Sequence, residues 1–226
     1  MSHGPADPRW PKLLSLAVHE FRTPITVVAG YIRMLLKDRA GPITDQQRRL
    51  LEEAEKSCGR LSALVAEMSD LSGLEGGTAA LKRAPVDLTS VLQEAIASLP
   101  PMPDREVTTD IVASDPAEID GDPTRLRTAL ASIVAALRRE VVTSDRLLIS
   151  VTRHKEAVVM ILGDPEQMDA YTSADPETLE PFDEWRGGSG LSLAIARRII
   201  AQHGGRLLAP PGEAKAGGVI VLPVIS

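Results

Sequence analysis

Cysteine and aromatic residues are scarce in this chain. A single cysteine, Cys58, among 226 residues excludes an intramolecular disulfide framework and a cysteine-rich zinc site. Aromatics are 3% of the residues, so aliphatic side chains must build the cores. No apolar run comes near the roughly 20 residues that span a bilayer. Met1 to Trp10 has no apolar stretch of the secretory kind. A reducing, cytoplasmic setting without a membrane partner is therefore expected. No sensor segment is visible, so the input is expected from a partner, or the chain is a fragment. An excess of cations is lacking too. Met1–Gly76 holds 10 Lys and Arg against 10 Asp and Glu, whereas Gly77–Ser226 holds 15 against 21, which accounts for the whole net charge of −6. That balance argues against nonspecific nucleic-acid binding and against docking on an anionic membrane. The four histidines, His3, His19, His154 and His203, show no metal-ligand spacing, so no metal site is expected.

What the chain does have is 43% apolar residues, enough for a sizeable core in one large or two small domains. Leu13, Leu14, Ala17, Val18, Phe21, Ile25, Val28, Ile32 and Leu35 recur at helical steps. After a break at Arg39–Ile43, Thr44 and Gln47 have the form of a capping box. A second stripe follows, with Leu50, Leu51, Ala54, Cys58, Leu61, Leu64, Val65, Met68 and Leu71. Cys58 lies on it as a small core residue. Two helices joined by a short loop make an antiparallel hairpin. Its apolar stripes are too wide for one hairpin to cover, so a homodimer with a four-helix bundle is expected. The expected organisation is 1–76 for the hairpin, 77–84 for a linker and 85–226 for a second domain.

In the second domain Asp87 caps an expected helix over Leu88–Leu99, stopped by the prolines at 100, 101 and 103. Val107–Val112 reads as a strand and Asp122–Arg139 as a helix. Leu147–Arg153 and Ala157–Leu162 read as a hairpin, with His154 in its turn. Gly163–Gly188 is polar and without period, and is expected to be a lid or unstructured, with Trp185 packing it down. Leu191–His203 reads as a helix closed by Gly204 and Gly205, with His203 as a cation suited to the helix dipole. Arg206–Ala209 and Val219–Val224 complete a mostly antiparallel sheet. The expected class is α + α/β: a helical hairpin followed by an α/β sandwich.

The most informative stretch is His19-Glu20-Phe21-Arg22-Thr23-Pro24, inside the first helix. His19 flanks the apolar stripe. Pro24 lacks an N–H and clashes one turn back, which predicts a bend beside the imidazole. Glu20 can orient the ring or take its proton.

Ser15–Ile25 resembles the H-box of bacterial sensor histidine kinases. Leu179–Phe182 resembles their F-box, Gly187–Gly205 their G2 box with its helix, and Pro85–Leu88 the start of their ATP-binding domain. The resemblance implies a dimeric phosphoacceptor hairpin followed by an α/β sandwich of the histidine-kinase ATPase type. It implies His19 as the phosphorylated residue, Glu20 as its acid–base partner, and Thr23 as the group that positions water when a receiver-domain aspartate is dephosphorylated.

The second half departs from that pattern. Ala136 stands where the family's N-box has a magnesium-binding asparagine, Ser132 replaces the preceding asparagine, and Arg139 replaces a lysine. Magnesium needs hard oxygen ligands, and a methyl group supplies none. In the G1 box Asp164 falls one place late, and Pro165, Glu166 and Gln167 follow where glycines let a nucleotide approach. Of the G2 glycines Gly188 and Gly190 remain, and Ser192 replaces the last. Gly188, Gly190 and Asp164 are thus the residual nucleotide-site candidates. Phosphoryl transfer from ATP rests on positioning and electrostatics, which these losses remove. Three readings follow. The first is a phosphotransfer protein that works through His19, with an upstream kinase or a response-regulator receiver as partner and no cofactor. The second is an active kinase using ATP and magnesium. The third is a non-catalytic regulator that docks a kinase or a response regulator.

Overall fold

The structure, a computed structural model, describes residues 10–76, 80–102, 104–114, 116–141, 144–154, 156–183, 191–212 and 216–224. The chain forms two compact units that divide between Ala79 and Ala80.

The first unit is a hairpin of α1 (Trp10–Leu36) and α2 (Asp45–Glu75). The capping box forms at the start of α2. The Gln47 N–H donates to Thr44 Oγ1 at 3.3 Å, and the Thr44 N–H donates to Gln47 Oε1 at 2.8 Å. Thr44→Ala should therefore cost about 1 kcal/mol in urea unfolding. The Arg48 guanidinium secures the turn, donating to the Leu36 carbonyl at 2.8 Å and to both Asp38 carboxylate oxygens at 3.0 Å. Leu14, Val18 and Ile32 of α1 are buried, as are Cys58 and Val65 of α2. The apolar stripe of α1 is split: Leu13, Phe21 and Val28 stay 57%, 53% and 50% exposed. Helix α1 runs unbroken through Pro24. The missing proline N–H leaves the Glu20 carbonyl without its partner in the helical ladder, one residue from His19.

The second unit contains β1 (Ala84–Asp87), α3 (Leu88–Ala97), β2 (Thr108–Ala113), β3 (Glu118–Gly121), α4 (Pro123–Glu140), β4 (Arg146–Arg153), β5 (Ala157–Gly163), α5 (Met168–Thr172), α6 (Ser192–Gln202), β6 (Arg206–Leu208) and β7 (Gly217–Pro223). Its main sheet has the order β2-β4-β5-β7-β6, with only β2–β4 parallel. Strands β1 and β3 form a separate antiparallel pair. Carboxylates start two helices: Asp87 accepts from the Thr89 and Ser90 amides, and Asp122 from the Arg125 amide. Gly204, at φ +76°, ends α6 in the left-handed turn that glycine adopts without penalty.

The sheet is covered on both faces. Val158, Met160, Leu162, Ile220 and Leu222 are fully buried on one face, in step with the inward residues of α4 such as Leu126, Leu130 and Ile133. Val159, Ile161 and Val219 alternate with them and pack against Met168 and Tyr171 on the other. The segment after β5 was expected to be an aperiodic lid. Through residue 183 it instead folds as two short 3-10 turns around α5 and anchors itself on the sheet through Met168, Tyr171 and Phe182. Gly163 and Gly217 face each other across β5 and β7, and the Tyr171 ring lies over both. A Cβ at Gly163 would overlap that ring, so Gly163→Ala should lower unfolding stability by about 1–3 kcal/mol.

Candidate functional site

His19 lies mid-way along α1 with its side chain 78% exposed, and Glu20 is 72% exposed beside it. His19 Nδ1 stands 3.6 Å from Glu20 Oε1, beyond hydrogen-bond length but within ion-pair reach. With Nδ1 turned to the carboxylate, the nitrogen left open to an incoming group is Nε2. Thr23 is exposed one turn further on. Past it, Thr26 Oγ1 donates to the Arg22 carbonyl at 2.8 Å. Arg22, Ile25 and Thr26 of α1 and Ser62, Val65 and Ala66 of α2 line a groove of about 170 Å³ between the helices. His19, Glu20 and Thr23 therefore share one stretch of open helix surface. A nucleophile, a carboxylate and a hydroxyl so placed can accept and release a phosphoryl group.

The nucleotide-site candidates lie in the second unit. Asp164 follows β5 directly and is 2% exposed. Its Oδ2 accepts from Ser144 Oγ at 2.8 Å and its Oδ1 from the Glu166 amide at 3.0 Å. Both carboxylate oxygens are thus engaged by the protein. Ala136 is 1% exposed in the inward face of α4. Ser132, Ala135 and Arg139 of α4 and Ser192 of α6 line a groove of about 280 Å³, and among the described residues no carboxylate or carboxamide side chain lines it. Gly188, Gly190 and Trp185 lie outside the described residues, as does His3. Among the described residues no group of His, Cys, Asp or Glu is arranged to hold a metal. No helix among them is long and apolar enough to cross a membrane.

One reading from the sequence is overturned here. His203 does stand at the end of α6, but not as a cation. It is 2% exposed, and burial pushes its pKa below the ordinary value. Nδ1 bonds the Ile199 carbonyl at 2.7 Å, and Nε2 accepts the Asp122 amide at 2.9 Å. His154 does occupy the β4–β5 turn, where its amide donates to the Ala157 carbonyl at 2.7 Å.

Four likenesses to known proteins agree with this geometry. The His Kinase A (phospho-acceptor) domain family matches residues 12–77. The sensor-like histidine kinase SenX3 of Mycobacterium bovis is 31% identical over 208 residues, covering 86% of this chain and 49% of SenX3. The circadian input-output histidine kinase CikA of Synechococcus elongatus is 26% identical over 206 residues, covering 87% of this chain and 27% of CikA. The chain thus spans less than half the length of either relative. Among solved structures, full-length ShkA in complex with AMPPNP superposes with a TM-score of 0.69 at 24% identity, covering 95% of this chain and 45% of ShkA.

Proposed function

The chain belongs to the sensor histidine kinase family, and on that premise we propose that it is a two-component phosphotransfer protein with impaired ATP binding. His19 is its phosphoacceptor, and a response-regulator receiver domain is its partner. An upstream histidine kinase is the second source of phosphate. The working form is a homodimer, because the hairpin leaves its apolar residues uncovered.

One contrast carries this reading. The acceptor stretch is complete and exposed, while Ala136 is a methyl buried in the inward face of α4 and Asp164 is buried with a donor on each carboxylate oxygen. A magnesium ion needs a hard oxygen ligand, which the Ala136 methyl does not supply. In the transfer, Nε2 of His19 attacks the phosphorus of an aspartyl phosphate. The P–N bond forms, the P–O bond to the aspartate breaks, and the receiver's carboxylate leaves. The Glu20 carboxylate, 3.6 Å from Nδ1, balances the positive charge that grows on the ring. The Thr23 hydroxyl positions a water for the competing hydrolysis of the same aspartyl phosphate.

The test is to mix the protein with a phosphorylated receiver and follow the label. Transfer to this chain, or its accelerated loss from the receiver, supports the reading. Formation of a complex with neither change supports a docking regulator instead. Thr23→Ala should leave capture on His19 intact but slow hydrolysis by about a hundredfold, the scale of a misplaced reactant. Equal hydrolysis by Thr23→Ala and wild type would remove Thr23 from the account.

A further inference from the structure

The buried imidazole of His203 sits where three segments meet, and the acceptor chemistry does not use it. Its tautomer is fixed by its partners. The Ile199 carbonyl, 2.7 Å from Nδ1, can only accept, so Nδ1 carries the hydrogen. The Asp122 backbone N–H, 2.9 Å from Nε2, can only donate, so Nε2 carries the lone pair. From there the bonds continue into the β1 strap. Asp122 Oδ2 accepts the Lys82 amide at 2.9 Å, and Oδ1 accepts the Arg125 amide at 3.1 Å. Arg83 makes a parallel tie, donating to the Asp120 carbonyl and to the Gln202 carbonyl, each at 3.0 Å. The strap then pairs with β3 from Ala84–Gly121 to Asp87–Glu118. The ring has no spare room, since a Cβ at Gly121 would lie 3.0 Å from its Cδ2.

We propose that His203 is a proton-sensitive latch, which ties the β1 strap to the ends of α4 and α6 only while its imidazole is neutral. A proton on Nε2 would point at the Asp122 N–H, donor against donor, and break that bond. The charged groups facing the ring are Arg83 of the strap and Asp122 and Arg125 of α4, with Lys82 and Asp120 beyond. Burial opposes an imidazolium most strongly, and the Arg83 and Arg125 cations add to it; the Ile199 carbonyl and the Asp122 carboxylate work the other way. The net shift is downward from 6.5. A released strap exposes the ring, which then takes up a proton that the latched ring refuses. The latch is therefore fully effective above about pH 6.5 and weakens as pH falls below it. Asp122 is lowered from 3.8, because amides and Arg125 outweigh its burial, so it stays ionised throughout that range.

Hydrogen exchange of the full chain at pH 7.5 and 5.5, corrected for intrinsic rates, tests the latch. The Lys82, Val86 and Asp122 amides should lose up to about tenfold in protection at the lower pH, the limit set by one proton. Met160 and Leu162 in the central strand should keep theirs. His203→Gln offers an acceptor and a donor without a titrating group, and its strap should be equally protected at both pH values. If that variant does not fold, the wild-type ring decides by nitrogen NMR: ring protonation and strap amide shifts must share one midpoint, below 6.5. Strap protection that is constant while the ring titrates overturns the proposal, and so does the same loss in His203→Gln.

Discussion

His19→Ala should take up no label from a phosphorylated receiver domain, whereas the wild-type chain should. The loss should be complete, because no other nitrogen nucleophile stands within a turn of His19: Glu20 offers a carboxylate, Thr23 a hydroxyl, and Arg22 a guanidinium that stays protonated. The substitution costs little in stability, since the imidazole is 78% exposed and alanine is a better helix former. Loss of capture with unchanged unfolding therefore reads the chemistry rather than the fold. Gel autoradiography and a urea melt on the same preparation check it. Label retained on His19→Ala would place the acceptor elsewhere.

The second large effect is on assembly. Among the described residues, eleven of the twelve large hydrophobic side chains that stay exposed lie in the hairpin, and Val112 is the other. On α1 they include Leu13, Leu16, Val27, Tyr31 and Met34, close to helical repeat; on α2 they include Leu61 and Leu64. A second hairpin covers such a face. Leu61 is 49% exposed in the single chain and should be buried in that bundle. Leu61→Glu then buries an unpaired carboxylate in each copy, at about 3 kcal/mol apiece. Two copies weaken dimerisation by about ten-thousandfold. Sedimentation at micromolar concentration should show a dimer for the wild type and a monomer for the variant. A wild type that sediments as a monomer would remove the bundle from the account.

Much of this was legible in the sequence where a local bond or a period carries the signal. The Thr44–Gln47 box, the Asp87 cap and the Gly204 turn each rest on groups within four residues, and all three formed. Strands β1 and β3 went unread. Each has four residues with few inward side chains, chiefly Val86 and Ile119, and their pairing joins segments far apart in sequence. Periodicity marked the wide stripe of α1 but could not say which of its residues meet α2. The stretch after β5 has no period because it holds on through a few anchors, Met168, Tyr171 and Phe182, over glycines that leave them room. His203 was misread because burial, not position at a helix end, sets its charge. The His19–Thr23 stretch stood out because its chemistry lies within five consecutive residues of one helix.

Titration calorimetry with magnesium and ATP on the wild-type protein tests the central claim most directly. With a methyl at Ala136 and Pro165, Glu166 and Gln167 after Asp164, the protein should give no saturable heat at micromolar to high-micromolar nucleotide, with or without the metal. Tight, magnesium-dependent binding would contradict the account and make the chain an ATP-driven kinase that phosphorylates its own His19.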